Sequence, residues 1–164
     1  MKTSIITLVT MVAFAAGLRA ADATVTLSGV HNCCKSCVKG IEKAVSSVKG
    51  ATATCDGNNV TITAKNTTDS KKAVAALLNA GYFGEGATTT AGTASEGKSK
   101  SVTVEGPHLC CGKCVDAFNK AIKEAGATGS NAEKGSKSVT VDGETSPKEV
   151  LAALNKNGFN GKVK

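Results

Sequence analysis

One segment of this chain is written twice. His31-Asn32-Cys33-Cys34-Lys35-Ser36-Cys37 returns as His108-Leu109-Cys110-Cys111-Gly112-Lys113-Cys114, with the His and the three Cys each displaced by 77 residues. The repeat continues on both sides. Val102 and Val104 stand where Val25 and Leu27 do, and Val115, Phe118, Ile122 and Ala125 where Val38, Ile41, Val45 and Val48 do. Val139 and Val141 answer Ile62 and Ala64, Leu151 and Leu154 answer Val74 and Leu77, and Gly158-Phe159 answers Gly81-Tyr82. An internal repeat of this length means two copies of one small folding unit.

Within a copy, the hydrophobic period alternates between two and that of a helix. Val25-Thr26-Leu27-Ser28 alternates as a half-buried strand does, and Gly29 opens the loop that carries His31 to Cys34. From Cys34 or Lys35 to Val48, the residues Val38, Ile41, Val45 and Val48 lie on one helical face, and Gly50 ends the helix. Ala51 to Cys55 is a weakly marked strand. Asp56-Gly57-Asn58-Asn59 is hairpin-turn chemistry, and Val60, Ile62 and Ala64 give a third strand. Thr68 or Asp69 caps a second helix with Val74, Leu77 and Leu78 on its apolar face; Gly81 closes it and Tyr82-Phe83 begins a fourth strand. In the second copy, Ser146-Pro147-Lys148-Glu149 is a capping box with Pro at the first helical position, and Ala127 to Ala132 is the weakest strand.

The order is β-α-β-β-α-β. A right-handed crossover makes the first two strands parallel, and the third fits between them, antiparallel to both. The expected class is therefore α+β: two tandem ferredoxin-like sandwiches, each a four-stranded sheet with two helices on one face. That topology gathers the Cys loop, the second hairpin and the Gly81-Tyr82 turn at one end. The expected units are a leader at 1–20, a first domain at 24–90, a flexible linker at 91–100 rich in Gly, Ala, Thr and Ser, and a second domain at 101–164.

Met1 to Ala20 reads as a signal peptide. Lys2 supplies the positive start, Ile5 to Leu18 an uncharged apolar run, and Ala21-Asp22-Ala23 an A-x-A cleavage pattern. The run is too short to span a bilayer, which takes about 20 residues, so no membrane span is expected in the mature chain. Export to a periplasm or to the outside follows. Both methionines leave with the leader. The net charge is +7, but the lysines are dispersed and the only arginine, Arg19, is in the leader, so no nucleic-acid partner is expected. No Ser/His/Asp set, phosphate-binding Gly loop or locally patterned acid pair occurs, and no enzymatic activity is expected.

The chemistry sits in the repeated motif. Cys34 and Cys37 bracket the first turn of a helix, whose positive end favours the thiolate, the form that binds metal. Cys33 and His31 lie on a loop able to fold back, as do Cys110 and His108 beside Cys111 and Cys114. Up to three thiolates and an imidazole could converge in each copy. That set suits Zn(II) as Cys₃His or Cu(I) with two or three sulfurs, about one ion per domain, and does not suit oxygen-seeking ions. Two rival readings stand beside it. Export favours disulfides, and a Cys34–Cys37 bridge is feasible; a dithiol redox pair is the other. His31 and His108 can ligate, orient ligands or be plain loop residues. Tyr82 and Phe159 can shield the site end from water or simply pack the core. Cys55 has no counterpart, since Ala132 occupies the equivalent position, and it reads as a buried structural Cys.

On Gly29…Cys34-Lys35-Ser36-Cys37-Val38-Lys39-Gly40-Ile41, Gly106…Cys111-Gly112-Lys113-Cys114-Val115-Asp116-Ala117-Phe118 and the Gly81-Tyr82 and Gly158-Phe159 turns, the chain resembles the heavy-metal-associated domain family. That family includes small copper chaperones, mercury-binding periplasmic proteins and N-terminal domains of metal-transporting ATPases. The resemblance covers nearly all of the chain outside leader and linker. It implies soft-metal binding through Cys34/Cys37 and Cys111/Cys114, and a metal transporter or another metal-binding protein as partner. This chain departs from the family's G-M-x-C-x-x-C. Val30 and Pro107 replace the Met, and a loop two residues longer brings His31/Cys33 and His108/Cys110 to the site. The added ligands favour higher coordination, tighter holding, or Zn(II) and Cd(II), over two-coordinate Cu(I) exchange; the candidate ions are Cu(I), Zn(II), Cd(II) and Hg(II). The expected role is a scavenger, buffer or metallochaperone; a thiol-disulfide redox protein or a disulfide-stapled structural module is the alternative.

Overall fold

The computed structural model describes residues 22–87 and 94–164. The expected signal peptide at 1–20 and the start of the expected linker lie outside the described residues. The architecture is α+β: two antiparallel sheets and four helices, in the ferredoxin-like manner.

The first sheet holds β1 (Ala23–Leu27), β2 (Thr52–Asp56) and β3 (Asn59–Ala64) in the order β1-β3-β2. β3 is antiparallel to both neighbours, with Val25 opposite Ile62 and Cys55 opposite Val60. This is the crossover topology expected from a helix between β1 and β2. The helices α1 (Lys35–Ser46) and α2 (Thr67–Asn79) pack on each other and on the sheet. Period-two burial of Val60, Ile62 and Ala64 turns one face of β3 to them.

The second sheet holds β4 (Ser99–Glu105), β5 (Gly129–Ser130), β6 (Ser138–Thr145) and β7 (Lys162–Val163) in the order β5-β6-β4-β7. Its helices are α3 (Gly112–Glu124) and α4 (Pro147–Lys156). The weakly signalled strand at 127–132 shrinks to the two residues of β5. The capping box is present in full: Ser146 Oγ accepts from the Glu149 amide at 3.2 Å, and the Glu149 carboxylate accepts from the Ser146 amide at 2.9 Å.

Three expectations are corrected. No fourth strand forms at Tyr82-Phe83. The segment touches β1's end through one bridge, Ser28 to Glu85, and Tyr82 pairs instead with Phe159 of the other half. The cap of α2 is Asn66, whose side chain accepts from the Asp69 amide at 2.9 Å, rather than Thr68 or Asp69. The buried stripe of α1 is Cys37, Ile41 and Val45, with Val38 only half-buried, and α3 repeats it with Cys114, Phe118 and Ile122. A core stripe at i, i+4, i+8 thus begins on a cysteine and aims its sulfur along the core toward the helix's N-terminal end. In α4 the stripe is Val150, Ala153 and Leu154; Leu151 is half-buried. No described helix is long and apolar enough to cross a membrane.

Candidate metal centre

Each Cys loop is pinned before it reaches its helix. Gly29 takes φ +72°, a left-handed turn open to Gly, and Val30 is fully buried beyond it. The Val30 amide donates to Asn58 O at 2.9 Å and Asn32 Nδ2 to Gly57 O at 2.8 Å, tying the loop to the β2–β3 hairpin. In the second half Gly106 has φ +74°, its amide donates to Lys137 O at 2.8 Å, and Leu109 O accepts from the Gly135 amide at 2.6 Å. Cys34 and Cys111 are the N-cap residues of α1 and α3, and both are extended. Cys37 and Cys114 lie one turn in, at the head of the buried stripes.

The sequence assigns one site to each half; the structure brings both motifs to one place. Cys33 Sγ lies 3.7 Å from Cys37, 3.6 Å from Cys111 and 3.6 Å from Cys114. Cys34 Sγ lies 3.6 Å from Cys37, 3.7 Å from Cys110 and 3.9 Å from Cys111. Cys37 is 3.5 Å from Cys110 and 3.8 Å from Cys114, and Cys114 is 3.6 Å from both Cys110 and Cys111. All six are free thiols. Their separations far exceed the disulfide bond of about 2.05 Å. The loop cysteines do fold back, and across the halves as well as within them.

The two histidines stack crosswise. His31 lies on Phe159 and His108 on Tyr82, each with ring centroids 4.2 Å apart. Each pair joins the two halves. The Tyr82 hydroxyl donates to Cys37 O at 3.1 Å and lies 2.8 Å from His108 Nε2. With its only proton given to the carbonyl, the hydroxyl must accept from Nε2–H. That fixes the neutral tautomer of His108 and leaves Nδ1 with the lone pair a metal needs. His31 has Phe159 where His108 has Tyr82, and its Nε2 is buried with no hydrogen-bond partner. Tyr82 and Phe159 are buried in the core, each stacked on a histidine of the opposite motif.

The electrostatics sort the thiols. The amide of Cys37 facing Cys34 holds that thiol well below its ordinary value, at about 6, and the amide of Cys114 lowers Cys111 in the same way. Burial pushes Cys33 and Cys110 strongly upward and Cys114 to about 11. Burial lowers His31, and lowers His108 to about 4, so both imidazoles are neutral, the ligating form.

The donor set suits soft metal ions. Cys37, Cys110, Cys114 and His108 place one ligand atom each within 4.8 Å of one another, as do Cys33, Cys34 and Cys37; Cys34, Cys110 and Cys111; and His31, Cys33 and Cys114. Three of those four sets mix the halves. Cys55 stays apart on the edge strand β2, half-buried rather than buried, with its thiol raised by burial.

Three glycines enter the site that sequence reasoning passed over or took only as turns. A Cβ on Gly81 would run into the backbone of Gly106, Pro107 and His108, and one on Gly158 into that of Gly29, Val30 and His31. A Cβ on Gly40 would strike the Tyr82 hydroxyl. The 77-residue equivalence of Gly81 and Gly158 was the available signal. It marks a shared turn, but carries nothing about what packs on it.

No protein-family model and no curated protein matches the chain. Among solved structures, the N-terminal soluble domains of Bacillus subtilis CopA align with 88% of this chain and 95% of that one, at 14% identity and a TM-score of 0.31. The water-soluble region of the P-type ATPase CopA from Bacillus subtilis aligns with 88% and 93%, at 16% identity and a TM-score of 0.33.

Proposed function

We propose that this protein is an exported, non-enzymatic carrier of Cu(I), acting as a scavenger, buffer or metallochaperone. The observation that carries the reading is the convergence of six thiols from both motifs at 3.5–3.9 Å spacing. Soft thiolates select Cu(I) over hard ions. The apolar lining from Val30, Leu109 and the two rings supports it, since the apolar shell around a site governs solvent access. The signal-peptide pattern supports export. Zn(II) has one rival place, the Cys₃His set of Cys37, Cys110, Cys114 and His108. Cys34 and Cys111, half-buried and with lowered thiol pKa, are the sulfurs a transporter or second metal-binding protein would attack first in ligand exchange.

The test is retention of metal after anaerobic reduction and desalting, with Cu(I) and Zn(II) offered separately against a competing chelator. Copper retained by the native chain and lost from a Cys34→Ser/Cys37→Ser/Cys111→Ser/Cys114→Ser variant supports the reading. Zinc held more tightly than copper would replace the cargo. Retention of neither ion would end the metal reading and leave disulfide chemistry.

A further inference from the structure

The six sulfurs are not a loose crowd. The ten short contacts leave three pairs facing each other across the cluster: Cys33 with Cys110, Cys34 with Cys114, and Cys37 with Cys111. Each facing pair takes one member from each half. The remaining neighbours, Cys33–Cys34 and Cys110–Cys111, are within 4.8 Å. Twelve edges and three facing pairs make an octahedron.

An octahedron of sulfurs dictates coordination number. Any four of its vertices include a facing pair, so no four sulfurs surround a tetrahedral ion. Its surface offers only triangular faces, each of three sulfurs. A metal–thiolate bond of about 2.3 Å puts three sulfurs around a trigonal ion about 4.0 Å apart, close to the spacings found. Four alternate faces use every sulfur twice. One such set is Cys33-Cys34-Cys37, Cys34-Cys110-Cys111, Cys37-Cys110-Cys114 and Cys33-Cys111-Cys114. The first three are triads already close enough to share an ion, and the sulfurs of the fourth are 3.6 Å apart on every side.

We infer that the two motifs form one polynuclear site, four trigonal Cu(I) ions bridged by six thiolates, closed between the halves of the chain. The inference rests on the carrier reading above and replaces one ion per half with a shared cluster. Its balance is simple. Each thiol still protonated releases its proton to solvent, so that six thiolates form twelve Cu–S bonds and no electron moves. The assembly carries a charge of −2. The N-termini of α1 and α3, each equivalent to about +0.5 charge, meet it at Cys34 and Cys111. Because each thiolate serves two ions, the first ion aligns sulfurs for the next, and loading is cooperative. Neither half can build the cluster alone.

The experiment is native mass spectrometry of the full, reduced chain under anaerobic, sub-stoichiometric additions of Cu(I). Chains with no copper and with four copper ions should dominate at half-loading. Cys33→Ser removes two faces and should cap loading at two, and Cys110→Ser, from the other half, should do the same. Cys55→Ser, away from the cluster on β2, should leave four. Circular dichroism of each metal-free variant shows whether it is folded, and Zn(II) loading checks that the remaining thiols are reduced. Two ions taken up one after the other, unchanged by Cys33→Ser, would overturn the shared cluster and leave the carrier reading standing. Four ions found only on a chain dimer would also overturn it. No copper on the native chain would sink both.

Discussion

At the scale of the residue, the position of each sulfur sets its chemistry. Cys34 and Cys37 are three residues apart, yet one caps a helix with an amide facing its sulfur and the other lies in the core. A thiol lowered to about 6 is mostly thiolate at neutral pH. Cys33, raised by burial, is mostly protonated there. Brief iodoacetamide treatment of the reduced, metal-free chain at pH 7 should therefore label Cys34 and Cys111 ahead of Cys33 and Cys110. Peptide mapping reads the order. Cys34 labelling should fall about tenfold per pH unit only below about pH 6. The linked stability has the sign of a depressed acid: full above the ordinary thiol value, and lost as pH falls through about 6. The two histidines differ by one hydroxyl. Tyr82 gives His108 a fixed tautomer, and Gly40 makes room for it, whereas the equivalent positions are Phe159 and Ala117. Tyr82→Phe should erase that asymmetry. If the Cys₃His set holds zinc, Zn(II) affinity falls about 10- to 100-fold on losing the partner that orients His108, with copper stoichiometry unchanged. Competition against a zinc chelator measures it.

At the scale of the element, most of the fold was legible in the residues, because strands and helices here follow their own periodicities. Val60, Ile62 and Ala64 alternate, and Ser146 with Glu149 spells its capping box. Ser146→Ala should cost about 1 kcal/mol of stability in urea unfolding, the ordinary loss of a cap. Two features were not legible for a physical reason. The buried stripe of α1 begins at Cys37 rather than Val38, because a thiol packs as a small apolar group when a second half covers it. The fourth strand shrinks to the single Ser28–Glu85 bridge, and Tyr82 pairs with Phe159 across the halves, a pairing no local pattern encodes. The turns at Gly81 and Gly158 hold the halves together. Gly158→Ala adds left-handed strain at φ +80° and a clash with the opposite Cys loop, whereas Gly126→Ala, at φ +85° in open space, adds the strain alone. The first should lower both thermal stability and copper loading. The second should lower stability only, by about 1–2 kcal/mol. Equal copper loading in both variants would mean that the turn does not hold the site.

At the scale of the whole molecule, the repeat made the two motifs equivalent, but equivalence does not say where two copies dock. The ligand identities were therefore readable from Cys and His spacing, and their union was not. That union links metal to stability. Among the described residues the halves meet through loops: the two Cys loops, the Gly81 and Gly158 turns, and Asn160, whose amide donates to Gly81 O at 2.9 Å. The buried side chains of the halves, Ile41 and Phe118 among them, run into one hydrophobic cluster, while the main packing of strands and helices lies within each half. A unit of roughly 60 residues is marginally stable, so metal bound by both halves is stability shared by both. Phe118→Ala should remove about 3–5 kcal/mol from the second half. Without metal, calorimetry of this variant should show two transitions, with the second half melting first. Loaded with copper, the second half can unfold only by breaking thiolate bonds that the first half also holds, so the transitions should merge and move up together. Stripping the copper with an anaerobic chelator should restore two. A loaded variant that keeps two separate transitions, with only one of them raised, would mean that each half holds its own metal.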